Sequence, residues 1–233
     1  MTRALLKTNG QIAEDQGMKA YAVGGCVRDW FLGHSRLSDV DITVESDSRG
    51  LADAIAVALH GKVTALHEQF HTATVMWKKR RIDVAMCRKE TYSHPGAYPR
   101  VSPGQLDDDL FRRDFTINAM AIALQPSHFG QLIDLFHGAK DLQARQLRIL
   151  HARSFLDDPS RILRGVRFAC RFGFQWEPAT MKAQYTALGQ GALGWLNRGR
   201  LERELIAMSH EPDPAACLRQ FAVLLEACGA SRA

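Results

Sequence analysis

Residues 39–44 read Asp39-Val40-Asp41-Ile42-Thr43-Val44. The alternation and β-branched content over Val40–Val44 predict a strand. Side chains two apart in a strand share a face. Asp39 and Asp41 therefore project side by side, while Val40 and Ile42 face a core. Two adjacent carboxylates repel, and a divalent cation relieves that repulsion. Mg²⁺ takes a few carboxylates and completes its shell with water and substrate phosphates. Two such ions can align an attacking hydroxyl with a leaving pyrophosphate. Two solvated aspartates at an exposed strand end are the ordinary alternative, and the motif alone leaves both open.

The surroundings bear on the choice. Upstream, Val23-Gly24-Gly25-Cys26-Val27-Arg28-Asp29 puts two glycines between a short apolar strand, Lys19–Val23, and a helix over Val27–Leu32. Glycine lets backbone N–H groups approach a phosphate closely, a following helix N-terminus favours an anion, and Arg28 can neutralise triphosphate charge. A lone Gly-Gly is usually an ordinary turn, but this one lies one helix and one strand before the carboxylate pair. Asp83, in Arg81-Ile82-Asp83-Val84-Ala85, is either a third carboxylate near the first two or an edge-strand charge.

The rest of the first half mixes strands and helices. Helices are expected at Ala4–Asp15, Leu51–Leu59 and Asp114–Ala123. Strands are expected at Thr72–Trp77 and Arg81–Cys87, as a hairpin around Lys78–Arg80, and at Leu132–Leu135. Residues 88–106, rich in Pro, Gly, Tyr and Ser, read as one long loop. After about residue 138 strand signals stop, and Lys140–Ala144, Pro159–Phe172, Pro178–Leu188, Leu201–Ser209 and Pro214–Ala227 read as helices. The expected class is α+β, with a mixed-sheet head over 1–138 and an all-helical neck over 139–233.

Composition excludes more than it selects. The chain has 233 residues, and its hydrophobic fraction of 46% allows a core. It has no apolar run long enough to span a membrane and no leader-like N-terminus. The five scattered cysteines (Cys26, Cys87, Cys170, Cys217, Cys228) contain no CxxC pair, which fits a reducing cytoplasm. The net charge of +5 is modest. However, Arg153, Arg161, Arg164, Arg167, Arg171, Lys182, Arg198, Arg200 and Arg203 cluster in one stretch, which suits either a polyanionic partner or a solvated helical surface.

Five segments in order resemble the class II tRNA nucleotidyltransferases, the CCA-adding enzymes and relatives, a family that includes bacterial poly(A) polymerases. Gly24-Gly25-x-Val27-Arg28-Asp29 with Asp39-x-Asp41 resembles the catalytic motif. Arg112-Arg113-Asp114-Phe115-Thr116-Ile117-Asn118-Ala119 resembles the nucleotide-ribose motif. Asp134 through Asp141 resembles the head-to-neck hinge, Asp157-Asp158-Pro159-Ser160-Arg161 with Arg164 and Arg167 the nucleotide-selecting motif, and Arg200 through Leu205 the last neck motif. The match runs from about residue 20 to 225. It departs where Asp157 stands in place of the usual Glu. Members usually continue past the neck into body and tail domains that grip the tRNA, whereas this chain stops at Ala233. On the resemblance, the grip must come from fewer residues.

The resemblance implies a polymerase-β-like head, two Mg²⁺ ions on Asp39 and Asp41, and transfer of C and/or A from CTP and ATP to a tRNA 3′ end. It gives Asp83 a place among the catalytic carboxylates, Gly24, Gly25, Arg28 and Arg113 to the triphosphate, and Asp114 and Asn118 to the ribose. Asp158 and Arg161, three apart and expected on one helix face, would pair with the edge shared by cytosine and adenine. Arg164 and Arg167 would brace them or meet RNA phosphates. A loop around Arg88–Tyr92 is tied in this family to adding the terminal A. The 28 residues from Val84 to Phe111 are similar in length to A-competent members. Poly(A) synthesis, A-only addition, a small-molecule nucleotidyltransferase and a non-catalytic RNA-binding remnant are the alternatives. Protein partners are not indicated.

Overall fold

The computed structural model of the chain describes residues 2–34 and 39–230. Ser38, just before the carboxylate pair, and the side chain of Cys228 lie outside what is described. The chain groups into two units, Met1–Glu90 with Val101–Arg113 and Ile117–Ala139, and Thr91–Arg100 with Asp114–Thr116 and Lys140–Ala233. Two short stretches between 90 and 117 thus group with the helical half of the sequence.

The first unit runs α1 (Thr2–Asp15), β1 (Ala20–Val23), α2 (Gly25–Phe31), β2 (Asp39–Val44), α3 (Ser48–Leu59), β3 (Lys62–His67), β4 (Thr72–Trp77), β5 (Arg80–Met86), β6 (Arg88–Thr91), β7 (Arg100–Pro103), α4 (Leu106–Phe111), β8 (Ala121–Ala123) and β9 (Leu132–Ile133). Seven strands form one sheet in the order β3-β4-β5-β2-β1-β8-β9, and β6 pairs with β7 separately. The sheet is mixed: β2 and β5 are parallel, while β1 pairs antiparallel with β2 and with β8. Its core includes Val40, Ile42, Leu51, Ile55, Ile82 and Val84, each at most 1% exposed. Full burial of such a side chain contributes about 1.5–3 kcal/mol. Helix α3 starts where the Asp47 carboxylate accepts from the backbone N–H of Arg49 and Gly50, both at 3.0 Å.

The second unit runs α5 (Gly138–Gln143), β10 (Gln146–Leu147), α6 (Ser154–Asp157), α7 (Ser160–Phe172), β11 (Gln175–Trp176), α8 (Pro178–Gly189), α9 (Arg198–Ser209) and α10 (Pro214–Ala230). Helix α8 opens with Pro178 in its first turn and Glu177 capping Thr180 N–H. Helix α7 closes at Gly173, φ 64°. Phe115, Phe155, Phe168 and Trp176 meet edge-on or tilted at 6.0–6.5 Å between centroids. They pack around Gly165, where a β-carbon would come 2.1 Å from the Trp176 ring.

The α+β class holds, with corrections in detail. Asp114–Ala123 is not a helix. Thr116–Asn118 forms one 3₁₀ turn and Ala121–Ala123 is strand β8, inside the sheet beside β1. Residues 119–124 are all at most 4% exposed, and a short run buried on every side shows no period that separates strand from helix. Residues 88–106 are not one loop, because β6 and β7 lie within them. Strand β6 pairs its inner residues with charges instead of apolar groups, so it carried no hydrophobic alternation. The half-exposed strand β3 was not foreseen. The helical part is not purely helical, since β10 and β11 form a short parallel pair. No helix among the described residues is long and apolar enough to cross a membrane.

Candidate active site

In the sheet unit, β2 delivers the carboxylates as its alternation requires. Val40 and Ile42 are each 1% exposed, Asp39 is exposed and Asp41 half-buried on the opposite face. The parallel register sets Asp39 beside Arg81 and Asp41 beside Asp83. Burial pushes the Asp41 carboxyl above its ordinary value, and Asp83 and Asp39 add to the shift while Arg113 opposes it. Arg81 opposes the shift as well, so the three carboxylates share the site with two guanidinium groups.

Asp83 is not an edge-strand charge: β5 lies between β4 and β2. Its carboxylate accepts from the Thr74 hydroxyl at 2.6 Å and from Arg81 Nε and Nη2, both at 2.9 Å. Among the described residues no group of three or more His, Cys, Asp or Glu side chains is disposed to hold a metal ion. Asp39 and Asp41 share one face of β2, and Asp83 lies beside Asp41 with its carboxylate already engaged.

The glycine turn lies beside this pair. Gly24 precedes α2 with φ 72° and ψ −136°, a backbone state open essentially to glycine. A β-carbon there would come 2.8 Å from Arg113 Nη1 and 3.7 Å from Asp41 Oδ2. Gly25 begins α2, where a β-carbon would come 3.4 Å from Arg28 Nη2. Arg28, 4% exposed, is committed within the fold: Nη1 donates to Asn118 Oδ1 at 2.7 Å and Nη2 pairs with Asp29 at 2.7 Å. The residues expected at the triphosphate and at the ribose thus bond each other.

Arg113 is held from behind by Asp109, which is 0% exposed. Asp109 Oδ2 accepts from Arg113 at 2.8 Å, and Oδ1 accepts from Arg112 at 2.7 and 2.9 Å. Burial alone would raise the Asp109 carboxyl, but Arg113 and Arg112 offset this and hold it below its ordinary value. Arg112 also reaches Glu90 at 3.1 Å, and Arg88 meets Glu90 at 2.9 Å. Sequence reasoning missed Asp109. The signal was its i,i+3 and i,i+4 spacing to Arg112 and Arg113.

In the helical unit, the selecting motif differs from expectation. Asp158 is not on a helix with Arg161: it sits in extended backbone (φ −134°, ψ 93°) between α6 and α7. Proline at 159 disfavours a helical conformation at the residue before it. Asp158 Oδ1 accepts from Ser160 N–H at 3.0 Å, from the Ser160 hydroxyl at 2.5 Å and from Arg200. Arg161 is 4% exposed and donates to Ser154 Oγ at 2.7 Å, so its guanidinium turns inward.

The neck arginines are largely matched by carboxylates. Arg164 donates to Asp114 at 2.8 and 2.7 Å. Its pKa is raised, chiefly by the Asp114 charge. Asp114 therefore faces Arg164. Arg167 reaches Glu211 at 3.4 Å and Glu204 at 3.8 Å, and Arg171 grips Glu211 with two bonds of 2.6 Å. The arginine cluster is thus in good part an internal ion-pair network, which also involves Glu204, from the last neck motif, and Glu211, which sequence reasoning did not single out.

Comparison with known proteins follows the same lines. The profile of the poly(A) polymerase head domain matches residues 20–148. The chain is 43% identical, over 91% of its length, to an A-adding tRNA nucleotidyltransferase of Halalkalibacterium halodurans, and it covers 50% of that protein. It superposes on a solved apo CCA-adding enzyme with a TM-score of 0.89 at 40% identity, covering 96% of this chain and 52% of that one. A solved tRNA nucleotidyltransferase complexed with a primer tRNA and an incoming ATP analogue gives a TM-score of 0.84 at 39% identity, covering 93% and 60%. The chain spans 50%, 23% and 25% of the lengths of three A-adding tRNA nucleotidyltransferases that it matches.

Proposed function

The chain belongs to the poly(A) polymerase head-domain family, and from that premise we propose that it transfers nucleoside monophosphates from ATP and CTP to the 3′ end of a tRNA. In each step the RNA 3′-hydroxyl oxygen bonds the α-phosphorus, the bond from that phosphorus to the β-phosphate oxygen breaks, pyrophosphate leaves and the hydroxyl proton is released. One observation carries the reading: Asp41 and Arg113 flank the same glycine turn, with Asp39 beside Asp41 on one strand face.

Two Mg²⁺ ions fit Asp39 and Asp41 because these carboxylates repel each other and Asp41 is raised by burial. Bound there, the ions would supply charge neutralisation and alignment at the α-phosphate. The chain's own part is to hold Arg113 at the triphosphate through Asp109 and to leave backbone space at Gly24. In the helical unit, Asp158 accepts from the exocyclic amino group of cytosine or adenine. Uracil and guanine present a carbonyl there, and the unmade bond costs on the order of 1–3 kcal/mol. The A-adding relative favours addition of A, alone or after CC. A cytoplasmic setting belongs with this reading.

The test is incubation with Mg²⁺, each NTP singly, and tRNAs ending in the discriminator base, C or CC. Incorporation of only CMP or AMP, each onto the matching end, is expected. Tails that lengthen regardless of the starting end would replace this reading with poly(A) synthesis. Absence of transfer to any RNA would remove it.

A further inference from the structure

The strand registers carry the carboxylate face of the sheet well beyond the carboxylates. Residues directly opposite each other on neighbouring strands share a face. Asp39 on β2 pairs with Arg81 on β5, Arg81 with Met76 on β4, and Met76 with Lys62 on β3. One row therefore runs Asp39, Arg81, Met76, Lys62, about 14 Å across three strand spacings. A second row begins Asp41, Asp83, Thr74, and the bond from the Thr74 hydroxyl to Asp83 joins two of its members. The opposite face holds Val40, Val75 and Ile82, each at most 1% exposed. The first row is open: Lys62 is exposed, Met76 is 36% exposed and the Arg81 side chain 55% exposed. The turn after β4 adds Lys78, which leans over the Trp77 ring at 4.7 Å, and the exposed Lys79. Charge along this face thus passes from negative at β2 to positive at β3 and the turn.

The strand order gives this row a side. Gly24 follows β1 directly, with Arg113 beside it, whereas Arg81, Met76 and Lys62 lie on the β5 side of β2. In-line phosphoryl transfer places the attacking and leaving oxygens on opposite sides of the phosphorus. With the triphosphate and its departing pyrophosphate at the glycine turn, the attacking hydroxyl arrives from the β5 side. We propose that the open row is the seat of the RNA 3′ end: the sugar–phosphate chain behind the attacking hydroxyl runs from Asp39 across Met76 toward Lys62 and the Lys78–Lys79 turn. The inference rests on the nucleotidyltransferase reading and adds the direction from which RNA enters. A polyanion on this path leaves the carboxylates behind and gains cations for its phosphates. Met76 offers an adaptable apolar surface to a sugar or base between them.

The experiment measures equilibrium binding of a fluorescently labelled RNA ending in CC over a salt series, and AMP transfer onto the same RNA. Wild type is compared with the double variant Lys62→Ala/Lys79→Ala, with Met76→Glu, and with Arg49→Ala, which removes an exposed arginine near the other end of β2. Each lost phosphate contact to a single strand lowers the slope of log affinity against log salt by about 0.7. The double variant should therefore lose about 1.4 of slope and, near 0.1 M salt, at least about tenfold in RNA affinity. Its KM for RNA should rise in step while its KM for ATP stays unchanged. Met76→Glu, with a carboxylate in the middle of the row, should weaken RNA binding and likewise spare ATP. Arg49→Ala should change neither. Unchanged RNA affinity and slope in the double variant overturn the proposal. An equal loss per charge in Arg49→Ala overturns it too, because bulk charge would then account for the binding. If wild type transfers no nucleotide, the nucleotidyltransferase reading fails, and the binding series still judges the row: it stands if the double variant binds RNA more weakly and falls if it does not.

Discussion

Arg113 lies where a side chain on Gly24 would be: a β-carbon on that glycine would come 2.8 Å from Arg113 Nη1. The two residues are far apart in sequence but share one volume beside Asp41. Gly24→Ala has two costs, a backbone at φ 72° that alanine resists and displacement of the guanidinium. Misplacing a catalytic group by about 1 Å can cost on the order of a hundredfold in rate. A loss of that order in kcat/KM, with tRNA affinity retained, is expected from steady-state kinetics and filter binding. Near-normal kcat/KM would separate the turn from the chemistry.

Asp109 should behave as the anchor of that guanidinium. Asp109→Asn keeps the shape and removes the charge shared by Arg112 and Arg113. Breaking a buried pair from one side costs about 3–5 kcal/mol, so a large drop in melting temperature is expected. NTP KM should rise as well, because Arg113 loses its fixed orientation. Equilibrium NTP binding in the folded variant is the discriminating measurement, and unaltered affinity would reduce Asp109 to a purely structural part.

These two features were unequally visible in the sequence. The β2 carboxylates and their common face follow from the alternation of Asp39, Val40, Asp41 and Ile42. The Gly24 turn follows from two glycines between apolar runs. Asp109 was hidden in an Asp107-Asp108-Asp109 triplet that reads as a solvated helix start, although only Asp109 of the three is fully buried. The bond from Arg161 to Ser154 could not be read at all, since the sequence does not show which neighbour a helix-borne guanidinium meets. The arginines of α7 suggested a polyanion because their carboxylate partners, Asp114, Glu204 and Glu211, lie 40 or more residues away for most of the bonds.

Gly165 offers a stability test away from the chemistry. Its missing side chain is occupied by aromatic rings, Trp176 at 2.1 Å and Phe115 at 2.8 Å from an added β-carbon. Phe115 is fully buried, and Trp176 is held against Phe115 and Phe155. Gly165→Ala is expected to destabilise by about 1–3 kcal/mol through overpacking, although alanine is the better helix former. Denaturant melts would show it, and an unchanged or raised midpoint would contradict the packing described here.

His151 should give the helical unit a pH dependence. Its pKa lies below the ordinary 6.5, chiefly because of burial and secondly because of Arg161, with Asp157 opposing. The unfolded chain therefore takes up the proton first as pH falls. The contribution is fully present above about 6.5 and is lost as pH falls from there toward the lower folded value. Melting temperature should drop between pH 7 and pH 5, and His151→Gln should flatten part of that slope. An identical slope in the variant would place the titration elsewhere.

The interleaving of the two units has a consequence for anyone who would divide the molecule. Asp114 and Thr116 come early in the chain, yet Asp114 bonds Arg164, and Thr116 bonds Asp141 at 2.7 Å through its hydroxyl and Arg148 at 2.9 Å through its backbone. A fragment ended before residue 140 would retain the whole sheet and still carry a cut seam, with one aspartate and one threonine stripped of the groups that complete them. The stretch 109–118 is a thread stitched through both pieces of cloth, and no single scissor cut frees either one whole.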